Sequence, residues 1–310
     1  MRKIKGRIVI LIPIITVMLS GCAFFGTATS QSNKHSAAST KVKTMTDFKM
    51  DNGNEVYVYG KKEVLSGTKK VPLVLFMCGT TGDPQEQAKS TGWVDKAQSE
   101  DIIVISPKYN DYATYGEVGY IISVVQRAIK LYPIDITRIY SLGFSNGGAT
   151  SVALTSEHPE MFAGIAAYGW MVDLRNQNNN YRQYGMPFQV IQGTNEFIEN
   201  NEDGNPVVMR DEQEAIRSLL LYNDMITQDV QPDYSKTPYW GYHPDDIKKE
   251  IVGGKVWTVN NYYKENYDNP FSQFILVEDA AHIPHMQDAD YSWEFLKHFS
   301  RSATGKIMED

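Results

Sequence analysis

The chain has 310 residues, with 42% apolar and 12% aromatic side chains, enough for a sizeable core and too rich in them for a disordered segment. Net charge is −7, and the basic residues Arg2, Lys3, Lys5 and Arg7 leave the rest of the chain more acidic still. An acidic body lacks the electrostatic footprint of a nucleic-acid binder.

The first element is an expected targeting segment. MRKIKGR is basic, and the apolar run at 8–19 is shorter than the ~20 residues that span a bilayer but suits a signal peptide. It ends in L-S-G-C, which resembles a bacterial lipobox. That resemblance implies cleavage after residue 21 and lipidation of Cys22. Lipid chains anchor through ~0.8 kcal/mol per buried CH₂, so the expected location is the extracytoplasmic face of a cell membrane. The chain has two cysteines, Cys22 and Cys78. Lipidation of the first leaves no internal disulfide. Residues 22–47, rich in Ser, Thr, Ala and Lys, read as a tether. A folded domain is expected over 48–303, with 304–310 as a tail.

Within the domain, short apolar runs alternate with helical patterns. Residues 54–60 alternate like an edge strand, whereas VPLVLFMC at 71–78 is apolar throughout, as strands buried on both faces are. A helix is expected at 92–99, a strand at 101–107, and a helix at 119–132 with Ile121, Val124, Val125, Ala128 and Ile129 on one face. A strand at 138–144 leads into another helix at 149–159. Strands follow at 162–169, 187–193 and 274–279, and an amphipathic helix at 291–300. This order predicts an α/β fold, a mostly parallel sheet with helices on both faces. Residues 197–250 break the rhythm. With a helix at 210–225 and an aromatic loop, they read as a cap-like insertion over the ligand-binding edge of the sheet.

Gly143-Phe144-Ser145-Asn146-Gly147 lies between a strand and a helix, the setting of a nucleophile elbow. A serine nucleophile needs a base and an acid to orient it. In an α/β-hydrolase they follow in the order serine, acid, histidine. His282 comes just after the 274–279 strand, with His285 and His243 as rivals. Glu196 is the first carboxylate after the 187–193 strand, with Glu199, Glu202 and Asp203 as rivals. The backbone N–H groups of Asn146 and Thr80 are the expected oxyanion donors. Cys78, closing an apolar strand, reads as a small buried hydrophobe. Trp170, Tyr239 and Trp240 are candidate substrate-pocket residues, beside Met171, Tyr234 and Tyr242. No H-E-x-x-H, paired-cysteine or P-loop motif occurs, so neither metal nor cofactor is expected.

The segment LYPIDITRIYSLGFSNGGATSVALTSEHPEMFAGIAAYG (131–169) resembles secreted α/β-hydrolase esterases of the polyhydroxybutyrate depolymerase and feruloyl esterase type. STGWVDKAQSEDIIVISPKYN and AAHIPHMQDADYSWEFLKHFSR extend the resemblance over roughly residues 70–301. It implies Ser145 as nucleophile, His282 as base and Glu196 as acid, acting on aryl, short acyl or hydroxyalkanoate esters. The chain departs from the family twice: Cys78-Gly79 replaces a His-Gly pair at the oxyanion loop, and the acid is glutamate where aspartate is usual. A serine peptidase of the same fold and a non-catalytic surface-binding lipoprotein are the alternative readings.

Overall fold

A computed structural model describes residues 47–172, 174 and 183–309. The expected signal peptide, Cys22 and the tether through residue 46 lie outside the described residues. The chain runs through β1 (Phe48–Lys49), β2 (Glu55–Tyr59), α1 (Lys62–Leu65), β3 (Val71–Met77), α2 (Pro84–Ser90), α3 (Trp93–Ser99) and β4 (Ile103–Pro107). It continues with α4 (Val118–Leu131), β5 (Ile134–Phe144), α5 (Asn146–Glu157), β6 (Gly164–Tyr168) and β7 (Phe188–Gly193). Then come β8 (Ile198–Asn200), β9 (Pro206–Val208), α6 (Arg210–Tyr222), β10 (Asp246–Val252), β11 (Lys255–Tyr262) and β12 (Ser272–Val277). The described chain ends with α7 (Asp288–Leu296), β13 (Phe299–Arg301) and β14 (Ile307–Glu309).

Ten strands form one sheet in the order β1-β2-β4-β3-β5-β6-β7-β12-β11-β10. The central run from β4 to β12 is parallel, and both ends turn antiparallel. Strand β3 shows why its sequence is apolar throughout. Leu73, Leu75 and Met77 face one core, against α4, α5 and α6. Val74 and Phe76 face the other, against α2, α3 and α7. Side chains alternate across a strand, so a strand covered on both faces has no polar side. Each such fully buried side chain contributes roughly 1.5–3 kcal/mol. Helix α4 buries Ile121, Val124, Val125 and Ala128 as its spacing predicts, while Ile129 is only partly buried.

Three segments differ from the sequence-based expectation. Helix α2 was not expected. It starts where Asp83 accepts N–H bonds from Gln85 and Glu86 at 2.9 and 3.0 Å, with Pro84 in the first helical position. The segment read as an insertion to residue 250 is in part sheet. The β8–β9 hairpin is a separate two-stranded sheet and α6 packs into the core on one face of the main sheet, while Asp246–Val252 is the main sheet's edge strand and turns into β11 through Gly253 and Gly254, both at positive φ. The last helix ends at Leu296. Phe299–Arg301 leaves it as a strand and pairs with Ile307–Glu309, where a tail was expected.

Candidate active site

The C-terminal ends of β3, β5, β6, β7 and β12 lie side by side, and the loops leaving them build the site. Ser145 follows β5 at φ 53° and ψ −123°, a backbone conformation strained for any residue with a side chain. Its N–H donates to the Tyr168 carbonyl at 2.7 Å, which ties the turn to β6. The chain then reverses into α5 against the end of β3. A Cβ on Gly147 would lie 2.0 Å from the Met77 carbonyl oxygen, so only glycine permits this approach.

His282 sits in the loop after β12. The Ser145 hydroxyl donates to its Nε2 at 2.9 Å, and its Nδ1–H donates to Glu196 Oε2 at 2.5 Å. These donor roles follow from the acceptor-only carboxylate. Glu196 is almost enclosed, its side chain 5% exposed. Its other oxygen accepts the Gly193 N–H. The acid and histidine loops are stitched together: Asn195 N–H donates to the Ala280 carbonyl and Asp279 N–H to Thr194 Oγ1, both at 2.9 Å. Gly169, at φ +75°, passes so close that a Cβ there would meet both His282 Nδ1 and Glu196 Oε2 within 2.8 Å.

Two aromatic rings hold the imidazole. Phe144 stacks on one side, centroids 4.6 Å apart, and Phe197 packs at 4.5 Å. Sequence reasoning missed both roles. Phe144 is the variable second position of the elbow motif, and Phe197 reads as one more apolar residue next to an acid-rich loop.

The rival residues lie elsewhere. Glu199 belongs to the exposed β8 strand, and Asp203 lies in the β8–β9 turn with its N–H on Asn201 Oδ1. The His285 ring meets Trp257 edge-on, and the His285 backbone N–H donates to Asp288 Oδ2 at 2.8 Å. His243 borders a cleft of about 340 Å³ between the 236–244 loop and β10–β12. Tyr239 and Trp240 line that cleft with Thr194, and neither Ser145 nor His282 does. Trp240 is buried, packed on Phe274 at 5.3 Å. The two aromatics expected at the substrate pocket therefore sit in a neighbouring cleft. Trp170 is closer: its carbonyl abuts Gly148 at the start of α5, and its indole Nε1 is buried with no hydrogen-bond partner among the described residues.

The loop leaving β3, which carries Thr80, approaches Ser145 from the other side of the elbow strand's end. A Cβ on Gly79 would lie 2.9 Å from the Ser145 Cβ. Gly79 N–H donates to Gln87 Oε1 at 2.7 Å, Thr81 N–H donates to the Asp111 carboxylate, and Gly82 N–H returns to the Gly79 carbonyl at 2.9 Å. Within that turn the Thr80 N–H is the one not engaged by these bonds. The Asn146 N–H is the first of α5, among the helix amides that lack an intrahelical acceptor and carry the positive end of its dipole. Cys78 is buried, and burial, with the nearby Asp111 charge, pushes its thiol up to about 12. A thiol so protonated is an inert packing group.

The profile of the prolyl oligopeptidase family matches residues 112–210. A bifunctional acetylxylan esterase/xylanase from Neocallimastix patriciarum is 27% identical over 83% of this chain and 35% of its own length. A poly(3-hydroxybutyrate) depolymerase from Ralstonia pickettii is 30% identical over 32% of this chain and 25% of its own. The chain thus spans about a third or less of the length of these relatives. Among solved structures, an acetyl xylan esterase from Aspergillus awamori superposes with a TM-score of 0.53 at 15% identity, covering 79% of this chain and 94% of that one. At that identity the likeness is one of fold, and with the sheet order described above it shows that this chain has the α/β-hydrolase fold.

Proposed function

We propose that this protein is a serine esterase that hydrolyses carboxylic esters through Ser145, His282 and Glu196. The observation that carries the reading is the continuous chain of hydrogen bonds from the Ser145 hydroxyl through both ring nitrogens of His282 to Glu196, at 2.9 and 2.5 Å. The serine stands on a strained elbow at the C-terminal edge of the sheet. Ser145 Oγ attacks the ester carbonyl carbon as its proton passes to His282 Nε2. The carbonyl oxygen becomes an oxyanion and accepts N–H bonds from Asn146 and Thr80, each donor contributing roughly 3 kcal/mol. The bond to the alcohol breaks, His282 protonates the leaving oxygen, and an acyl-enzyme remains. Water gives a proton to His282 and attacks the acyl carbon, releasing the acid and restoring the serine. Glu196 stays ionised, holding the imidazole in one tautomer and stabilising its cationic form.

Relatives named for acetylxylan and for poly(3-hydroxybutyrate) support short acyl esters and hydroxyalkanoate oligomers as substrates, beside aryl esters of the feruloyl type. The basic, apolar, L-S-G-C leader supports a lipid-anchored protein on the extracytoplasmic face of a membrane. The prolyl oligopeptidase profile over 112–210 favours a second reading, a serine peptidase with the same machinery. Both are tested by assaying p-nitrophenyl acetate, p-nitrophenyl butyrate, methyl ferulate, a hydroxybutyrate trimer and a proline-containing p-nitroanilide peptide, each with Ser145→Ala alongside. The expected result is ester hydrolysis lowered by several orders of magnitude in the variant. Anilide cleavage without ester cleavage would establish the peptidase instead.

A further inference from the structure

The two amides assigned to the oxyanion belong to different segments. Thr80 lies in the loop after β3 and Asn146 begins α5. An oxyanion hole works only if the spacing between its donors is held before the reaction begins. A third segment, the loop after β4, touches both. The Asp111 carboxylate accepts the Thr81 N–H. The Asp111 carbonyl accepts from the Asn146 side-chain amide, whose oxygen in turn accepts the Thr114 hydroxyl at 2.7 Å. Thr80 Oγ1 also reaches the Asp111 carbonyl, at 3.5 Å.

Thr81 has φ 60°, a left-handed conformation that a β-branched residue adopts only when its surroundings impose it. Thr80 and Thr81 are exposed, so packing does not impose it. The turn closed by the Gly82 N–H on the Gly79 carbonyl places Thr81 at its third residue, and the bond to Asp111 holds it there, a carboxylate being a stronger acceptor for an amide than a neutral group. With Thr81 N–H aimed at Asp111 and Gly79 N–H at Gln87, the peptide between them is fixed in orientation. Tyr109 donates to the Cys78 carbonyl at 2.7 Å, from the same loop that carries Asp111.

We propose that Asp111 is a positioning residue that sets the oxyanion hole, by clamping the Thr80–Thr81 turn on one side and the Asn146 side chain on the other. The proposal rests on the reading of Ser145 as an esterase nucleophile. Its test compares wild type, Asp111→Ala, Asp111→Ser and Asp111→Asn on p-nitrophenyl acetate. The same proteins are titrated with an alkyl trifluoromethyl ketone. Ser145 Oγ adds to the ketone carbonyl, its proton passes to His282, and the resulting hemiketal oxyanion occupies the hole with no group leaving.

Alanine is expected to lower kcat 10- to 100-fold, leave KM within about threefold, and weaken ketone inhibition by the same factor as kcat. Serine is too short to reach Thr81 and carries the same prediction if alanine does not fold. Asparagine keeps an acceptor and should restore kcat to within about fivefold. A merely structural role would lower thermal stability without moving ketone affinity in step with kcat. The proposal is overturned by alanine and serine variants within twofold of wild type, by a fall in kcat with ketone affinity unchanged, or by asparagine as impaired as alanine. A wild-type protein that neither hydrolyses ester nor binds the ketone would overturn the esterase reading itself.

Discussion

At the scale of single residues, the site is built from groups whose freedom has been removed. Glu196 accepts from His282 with one oxygen and from the Gly193 N–H with the other, so its carboxylate cannot rotate away. Glu196→Gln would present an amide with one acceptor for two donors and favour the wrong imidazole tautomer. The expected fall in kcat is ~10³–10⁴ with little change in KM, read from steady-state kinetics on an activated ester. Glu196→Asp would leave a carboxylate one methylene short of His282, and a smaller loss, on the order of 100-fold, is expected. Phe197 acts differently, because its ring confines the imidazole from the solvent side. Phe197→Ala should lower kcat by on the order of tenfold through looser histidine geometry, with the fluorophosphonate labelling rate falling in parallel. A rate equal to wild type would show that Phe144 alone is enough to hold the ring.

At the scale of elements, the elbow depends on how closely α5 meets β3. Gly147→Ala would force a Cβ into the Met77 carbonyl, a backbone group that cannot swing aside. A loss on the order of 3 kcal/mol is expected in urea unfolding. Gly119, exposed on α4, has nothing within 4 Å of its Cβ position, so Gly119→Ala should stabilise by up to about 1 kcal/mol. The contrast also marks what a sequence reveals. The elbow was legible because two glycines around a serine carry a steric meaning, and the central strands because burial on both faces leaves no polar residue in β3. The edge was not. DIKKEIV in β10 is charged on both faces, as an edge strand flanked by solvent is free to be, and its signal lay in the Gly253-Gly254 turn. Helix α2 is short, and only its Asp83-Pro84 start announced it. The Asp111 clamp is invisible in sequence because its partners lie 30 and 35 residues away, in the loop after β3 and at the start of α5.

At the scale of the whole molecule, two further carboxyls are buried close enough to Glu196 to feel its charge. Glu212 and Asp288 are both buried, and neither carboxylate oxygen of Glu212 has a hydrogen-bond partner among the described residues. Burial, with the Glu196 charge adding to it, raises both well above the ordinary carboxylate range. The folded protein therefore keeps these protons at pH values where the unfolded chain has lost them. From about pH 4.5 upward, stability falls by as much as ~1.4 kcal/mol per unit for each such group, until its folded pKa is passed. Below that pH both states are protonated and the penalty vanishes. Glu212→Gln carries no such proton. It should be more stable than wild type at pH 8 and equal to it at pH 4, as read from urea midpoints; a difference independent of pH would mean Glu212 is ionised in the fold.

The central claim is that Ser145 is a nucleophile activated by His282. Its most direct measurement is mass spectrometry of the peptide containing LGFSNGGA after exposure of the folded protein to a fluorophosphonate. The account predicts one stoichiometric adduct on Ser145, absent from Ser145→Ala and formed at least a hundredfold more slowly in His282→Ala. No adduct on correctly folded protein, or labelling that survives both substitutions, would contradict it.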